Sequence, residues 1–216
     1  MKLFLSSVDG IPPETKNDFL KLLDKDPKDT KICFIDTASD ISEDKSYVKG
    51  DMDRLVELGF NIEKVDLKEE NGSSLEKKLV NFDVVFMTGG NNFYLLKHVR
   101  NSGFDKAIRK FLDKGGVYFG CSAGAMIMGL SIESAQWKNP SRNTVGLKDL
   151  TGLKLVPFVI SVHTDETNIE LTRNCSSEVN YPVVALTDKQ AIVVDGNKRK
   201  IVGTGKKIIF NTKEKL

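Results

Sequence analysis

The chain has 216 residues, 40% of them hydrophobic and 29% charged, and a net charge of +2. That length suits one α/β domain or two small ones and is enough for a sizeable core. The composition is that expected of a soluble globular protein, and the near-neutral charge argues against nucleic acid or an anionic membrane as partner. Cys33, Cys121 and Cys175 are scattered, with no CxxC or Cys/His metal spacing, which suits reduced thiols in a cytoplasmic protein. The apolar run in residues 1–7 is too short for a signal peptide, and nothing approaches the ~18 apolar residues of a membrane span.

Residues 2–6 read as a first strand, after which Pro12 and Pro13 lead into a helix over 14–24. A second strand covers 31–36 and ends at Thr37-Ala38-Ser39. Over 47–58, Val48, Met52, Leu55, Val56 and Leu58 recur at helical spacing until Gly59 stops them. Residues 61–66 alternate as a strand does, 73–80 read as a short helix with Ser73 or Ser74 as N-cap, and 83–87 form a continuous apolar strand. Gly103 separates two helical pieces, 92–100 and 105–114, and Val117-Tyr118-Phe119 is the next strand. This β-α-β-α alternation with buried strands predicts a parallel sheet covered by helices on both faces, with right-handed crossovers.

The pattern then changes. Residues 131–149, with Trp137 and Pro140, are polar and irregular and read as a long surface loop or hairpin. A strand over 155–162, interrupted early by Pro157, precedes a helix over 165–175 capped by Thr164 or Asp165. Short strands follow at 182–186, 190–195, 200–202 and 206–210, with turn signals at Asp195-Gly196 and Gly203-Thr204-Gly205. This tail is expected to be antiparallel and packed at the end of the same sheet. No linker rich in Pro, Gly or Ser divides the chain, so 1–216 is expected to be a single domain.

The stretch Gly120-Cys121-Ser122-Ala123-Gly124 fits the nucleophile-elbow pattern G-x-S-x-G between a strand and a helix. A sharp turn there lifts a hydroxyl clear of the sheet, and the positions two either side of the serine collide unless they are glycine. Centring the turn on Cys121 puts Phe119 at a flank and is sterically poor, so Ser122 is preferred as nucleophile. The N–H of Ala123 then lies at a helix N-terminus, where it can face a developing oxyanion. The plain alternative is a tight β–α connection whose small residues serve packing only.

A serine nucleophile needs a base, and the chain has two histidines. His98 lies inside the helical pattern of Phe93, Leu95, Leu96 and Val99, whereas His163 ends a strand, and functional groups of open α/β sheets gather at the carboxyl ends of strands. Asp165, Glu166 and Asp188 are the carboxylates available to orient the base. Asp188 follows the strand ending at Leu186 and ranks first by position, although Asp is also common in turns such as Thr187-Asp188-Lys189-Gln190. Thr88-Gly89-Gly90-Asn91 follows another strand and opens a helix. Its glycines allow close backbone approach, so Gly90 N–H and Ala123 N–H form a candidate two-donor oxyanion hole, with Asn91 as a helix cap. No phosphate-loop motif is present.

Taken together, Thr88-Gly89-Gly90-Asn91 with Phe93, Leu95 and Leu96, the segment from Gly120 to Ala125, and Pro157-Phe158 with the strand leading to His163 resemble the dipeptidase E (aspartyl dipeptidase) and cyanophycinase-like family of serine peptidases. The resemblance implies a flavodoxin-like three-layer α/β/α sandwich related to class I glutamine amidotransferases. Its sheet is mostly parallel, with antiparallel strands at the C-terminal end. It further implies Ser122 as nucleophile, His163 as base, and Gly90 and Ala123 as oxyanion donors. Asp188 matches the family's acidic member, where relatives often carry Glu. Some accounts place an Asp in the loop after the nucleophile helix, but Glu133 and Trp137-Lys138 stand there and no Asp matches. No metal or cofactor is expected. The expected partner is a short peptide, and a homodimer is allowed.

Strict aspartyl dipeptidases of the family carry a longer, basic segment after the base. Here the segment is Thr164-Asp165-Glu166-Thr167-Asn168-Ile169-Glu170, and its first Arg is Arg173. Asp165 or Glu166, with Asn91, are therefore candidate substrate contacts, and a preference not restricted to N-terminal Asp is expected. Two rival readings are a non-catalytic flavodoxin-like binding module and an amidase-like hydrolase using Cys121.

Overall fold

Alternation along the strands sorts the apolar side chains onto two faces, and that sorting sets the architecture. The computed structural model describes residues 1–139 and 142–212; Pro140 lies outside them. The strands β1 (Lys2–Ser6), β2 (Lys31–Ile35), β3 (Asn61–Lys64), β4 (Val84–Met87) and β5 (Val117–Cys121) are all parallel. Leu3, Leu5, Cys33, Ile35, Val85, Met87 and Tyr118 face one cluster, and Phe4, Ile32, Phe34, Val84, Phe86, Phe119 and Cys121 face another.

The helices divide in the same way. α1 (Lys16–Leu20) and α2 (Ser46–Glu57) supply Phe19, Val48 and Leu55 to the second cluster. α3 (Gly72–Leu79), α4 (Asn92–Asn101), α5 (Phe104–Asp113) and α6 (Ala123–Met126) cover the first. The result is the expected three-layer sandwich. β5 runs through its middle between β4 and β1, and Phe4, Phe19, Phe86 and Phe119 meet around it with ring centroids 4.7–5.5 Å apart.

The C-terminal part departs from expectation. Five more strands are β6 (Val159–Ser161), β7 (Val183–Ala185), β8 (Gln190–Asp195), β9 (Lys198–Gly203) and β10 (Ile208–Phe210). β8 and β9 do extend the main sheet antiparallel, giving the order β3-β2-β4-β5-β1-β8-β9. β7 and β10 do not join it; with β6 they form a separate sheet, β10-β7-β6, in which β6 and β7 are parallel. Val159, Ile160, Val183, Val184 and Ala185 are all buried, and short apolar runs of this kind carry no mark of which sheet they join.

Two helices also differ. Residues 133–138 of the expected polar loop form α7 (Glu133–Lys138), and α8 is Ile169–Ser177, beginning later than expected, with Asn168 at its N-cap position. Asp165 instead closes a local turn, accepting from Thr167 N–H and Asn168 N–H at 2.8 and 3.2 Å, the Asx geometry that competes with helix. At α3 the cap is Asn71 rather than Ser73 or Ser74, and Ser74 completes its capping box. Among the described residues no helix is long and apolar enough to cross a membrane.

Candidate active site

The elbow at the end of β5 is built as the glycine spacing requires. Ser122 sits at φ 45° and ψ −105°, a conformation that L-residues hold only when their surroundings force it. A Cβ on Gly120 would lie 2.5 Å from the backbone of Gly124, and one on Gly124 would lie 2.5 Å from Met87 O. Ser122 N–H donates to Ser6 O at 2.9 Å, tying the turn to β1.

His163 leaves the end of β6 with φ 52°, and Asp188 lies just beyond β7. The β6–β7 register pairs Ser161 with Ala185, so both side chains emerge from the same end of adjacent parallel strands. Ser122 Oγ is 3.0 Å from His163 Nε2, and His163 Nδ1 is 2.7 Å from Asp188 Oδ1. The hydrogen bond from His163 holds the Asp188 carboxyl below its ordinary range, against partial burial. The nucleophile candidate thus comes from the main sheet and its two partners from the small one.

Two residues to which the sequence reading gave no site role hold this arrangement. Ser7 Oγ accepts from His163 N–H at 2.7 Å and lies within donating distance of Asp188 Oδ1 and Leu186 O, at 3.1 and 3.2 Å. Lys138 Nζ donates to Val162 O at 2.6 Å and reaches Thr164 Oγ1 at 3.4 Å, bracketing His163. Burial pulls the Lys138 ammonium down to about 8, with Asp165 and Asp188 pulling the other way. Ser7 follows the end of β1, so the strand-end rule that singled out His163 applied to it equally. Lys138 carried no such mark, because the stretch containing it reads as loop.

The glycine loop after β4 faces the elbow. Gly90 has φ 137°, and a Cβ there would meet Ala38 O at 2.2 Å, so only glycine fits. Neither Gly90 N–H nor Ala123 N–H donates to a backbone acceptor among the described residues. Asn91 Oδ1 caps α4 through Phe93 N–H and Tyr94 N–H, both at 3.0 Å, while its Nδ2 donates to Arg142 O at 2.8 Å. Arg142 Nη2 in turn donates to Gly90 O at 2.7 Å. The Asn91 side chain is therefore committed to structure rather than aimed at a ligand. Asp165 is likewise committed to its own turn, and Glu166 is exposed.

The rival nucleophile is placed differently. Cys121 is buried in the aromatic cluster on the opposite side of β5, and burial pushes its thiol well up, away from the thiolate. His98 packs at a tilt against Tyr94 with centroids 4.4 Å apart, makes no hydrogen bond to Ser122, and burial lowers its basicity.

A serine at a strained strand-to-helix turn, hydrogen-bonded to a histidine that is hydrogen-bonded to a carboxylate, is the constellation of a serine hydrolase on an α/β sheet. Comparison with known proteins narrows that class: the model of peptidase family S51 matches residues 4–202. The chain belongs to that family and is a peptidase. It is 31% identical over 170 residues to an uncharacterized peptidase of Listeria monocytogenes, covering 77% of this chain and 83% of that one. Against peptidase E of Streptomyces coelicolor it is 27% identical over 191 residues, covering 82% and 73%. A crystal structure of a protein from Listeria monocytogenes assigned to peptidase E superposes with TM-score 0.80 at 28% identity, covering 94% of this chain and 98% of that one. Family membership sets aside the reading as a non-catalytic binding module.

Proposed function

We propose that this peptidase is serine-type and hydrolyses short peptides through an acyl-enzyme. Ser122 Oγ attacks the scissile carbonyl carbon while its proton passes to His163 Nε2. The C–O bond forms, and the carbonyl electron pair moves onto oxygen, which faces Gly90 N–H and Ala123 N–H. Collapse breaks the C–N bond, and His163 gives its proton to the leaving amine. Water, activated by the same nitrogen, then releases the acyl group. Asp188 accepts Nδ1–H and so keeps the lone pair on Nε2.

The observation that carries this reading is the unbroken hydrogen-bond line Ser122–His163–Asp188 at 3.0 and 2.7 Å. The three free thiols support a reducing cytoplasm as the site of action. Specificity beyond N-terminal Asp is supported by Arg173, whose guanidinium lies 5.3 Å from the Phe210 ring and 3.3 Å from Glu170, and so is engaged elsewhere.

A panel of Asp-Leu, Ala-Leu and Lys-Leu dipeptides assayed with wild type and Ser122→Ala tests the reading. Ser122→Ala is expected to lose about 10⁴-fold or more in kcat while remaining folded. Hydrolysis within tenfold of wild type removes Ser122 as nucleophile.

A further inference from the structure

The first β–α loop brings beside the elbow a carboxylate that the proposed mechanism does not use. Asp9 follows β1 by three residues, and its Oδ1 accepts from Gly89 N–H at 3.1 Å. A methyl group placed on Gly89 would stand 2.2 Å from Asp9 Oδ1 and 3.1 Å from Ser122 Cβ. About one carbon's width therefore separates the carboxylate from the nucleophile's side chain. Asp9 is half-buried, whereas Asp51 beneath it is fully buried and engaged by Arg54 at 3.2 Å. No hydrogen bond to Asp9 Oδ2 occurs among the described residues.

In a peptide the amino nitrogen of the residue being cleaved lies about 2.5 Å from its carbonyl carbon. A carbonyl carbon held about 3–3.5 Å from Ser122 Oγ thus puts a free amino group at the distance of the Asp9 carboxylate.

We propose that Asp9 binds the free α-ammonium group of the substrate and so makes the enzyme selective for unblocked amino termini. This rests on the proposed role of Ser122 and replaces Asp165 and Glu166, the carboxylates favoured from sequence, of which Asp165 is committed to its own turn and Glu166 is exposed. The physical case is charge pairing at a desolvated position. Burial raises the Asp9 carboxyl above its ordinary range, although the Gly89 N–H and the nearby Arg54 charge favour its ionised form. Among the described residues Asp9 makes one hydrogen bond, from Gly89 N–H, and no ion pair, and an arriving ammonium supplies a direct charged partner. An acylated amino terminus has no charge to offer and leaves the carboxylate desolvated without a partner.

The test compares each of the three dipeptides with its N-acetyl form, in wild type and in Asp9→Asn, which keeps an acceptor for Gly89 N–H and removes only the charge. Wild type should prefer free amino termini by about 100-fold or more in kcat/KM. Asp9→Asn should narrow that preference to about fivefold or less, by losing activity on the free peptides. Reaction of Ser122 with a fluorophosphonate reports separately whether nucleophile and base remain assembled in the variant. Equal activity of wild type on free and acetylated peptides overturns the proposal. So does an equal loss on both in Asp9→Asn, or labelling of Ser122 with no cleavage of any free dipeptide. Failure to label Ser122 in wild type instead overturns the serine mechanism beneath it.

Discussion

At the scale of single residues, the site depends on side chains whose environments oppose their solution chemistry. Ser7 is one: a buried hydroxyl that accepts from the backbone of His163 and sits within hydrogen-bond distance of Asp188. Ser7→Ala leaves His163 N–H without its acceptor and loosens the acid, so kcat should fall about tenfold with KM little changed, as for an interaction felt in the transition state; steady-state kinetics decide it. Asp51 is another. It is fully buried, its Oδ2 has no partner among the described residues, and burial raises its carboxyl to about 8. Between the ordinary carboxylate pKa and about 8, the folded protein holds a proton that the unfolded chain has released, so this residue lowers stability as pH rises through that window. Asp51→Asn carries no such penalty. Its melting temperature relative to wild type should climb from pH 5 to pH 9, and a flat or falling difference removes the assignment.

Specificity belongs to this scale as well. Arg142, by its bond to Gly90 O, is the described cation fixed to the glycine loop. If Asp-Leu is preferred over Ala-Leu by more than ~100-fold, about 2.7 kcal/mol, Arg142 rather than Arg173 is the first residue to mutate.

At the scale of elements, the elbow was legible because its constraint is local. The glycines of G-x-S-x-G stand two residues from the serine, and the collision that demands Gly120 lies within the same turn, against Gly124, while Gly124 is demanded by Met87 of the neighbouring β4. Gly120→Ala should therefore abolish activity and lower the melting temperature, since a methyl group at 2.5 Å from Gly124 cannot be accommodated by rotating a side chain. A variant as active and as stable as wild type contradicts the close approach. The other half of the site was less legible. His163 and Asp188 were placed at strand ends correctly, yet their strands belong to a second sheet, which the short buried runs Val159-Ile160-Ser161 and Val183-Val184-Ala185 do not reveal because they fit either one. α7 was hidden by the polar character of Glu133-Ser134-Ala135-Gln136-Trp137-Lys138, of which Ser134 is the one fully buried residue. With α7 went Lys138, whose part in holding the His163 turn depends on a contact 24 residues along the chain.

At the scale of the whole molecule, two sheets meet so that the carboxyl ends of β1, β4 and β5 from one face those of β6 and β7 from the other. The layering was readable from alternation in the strands, which divides Phe4, Phe86 and Phe119 from Leu3, Val85 and Tyr118. Sheet membership was not, since it is decided by long-range pairing. Phe119 lies at the junction of three other rings beneath the elbow, so Phe119→Ala should cost about 3–5 kcal/mol in denaturant unfolding. A loss below about 1 kcal/mol means that the aromatic cluster is not the support of β5.

The central claim is that Ser122 and His163, brought from different sheets, act as one unit. Labelling with a fluorophosphonate followed by peptide mass spectrometry tests it most directly. Wild type should carry one adduct, on Ser122. His163→Ala should lose the labelling rate by orders of magnitude, and iodoacetamide should leave the buried Cys121 of the native protein unmodified. An adduct on another residue, or undiminished labelling of Ser122 in folded His163→Ala, contradicts it.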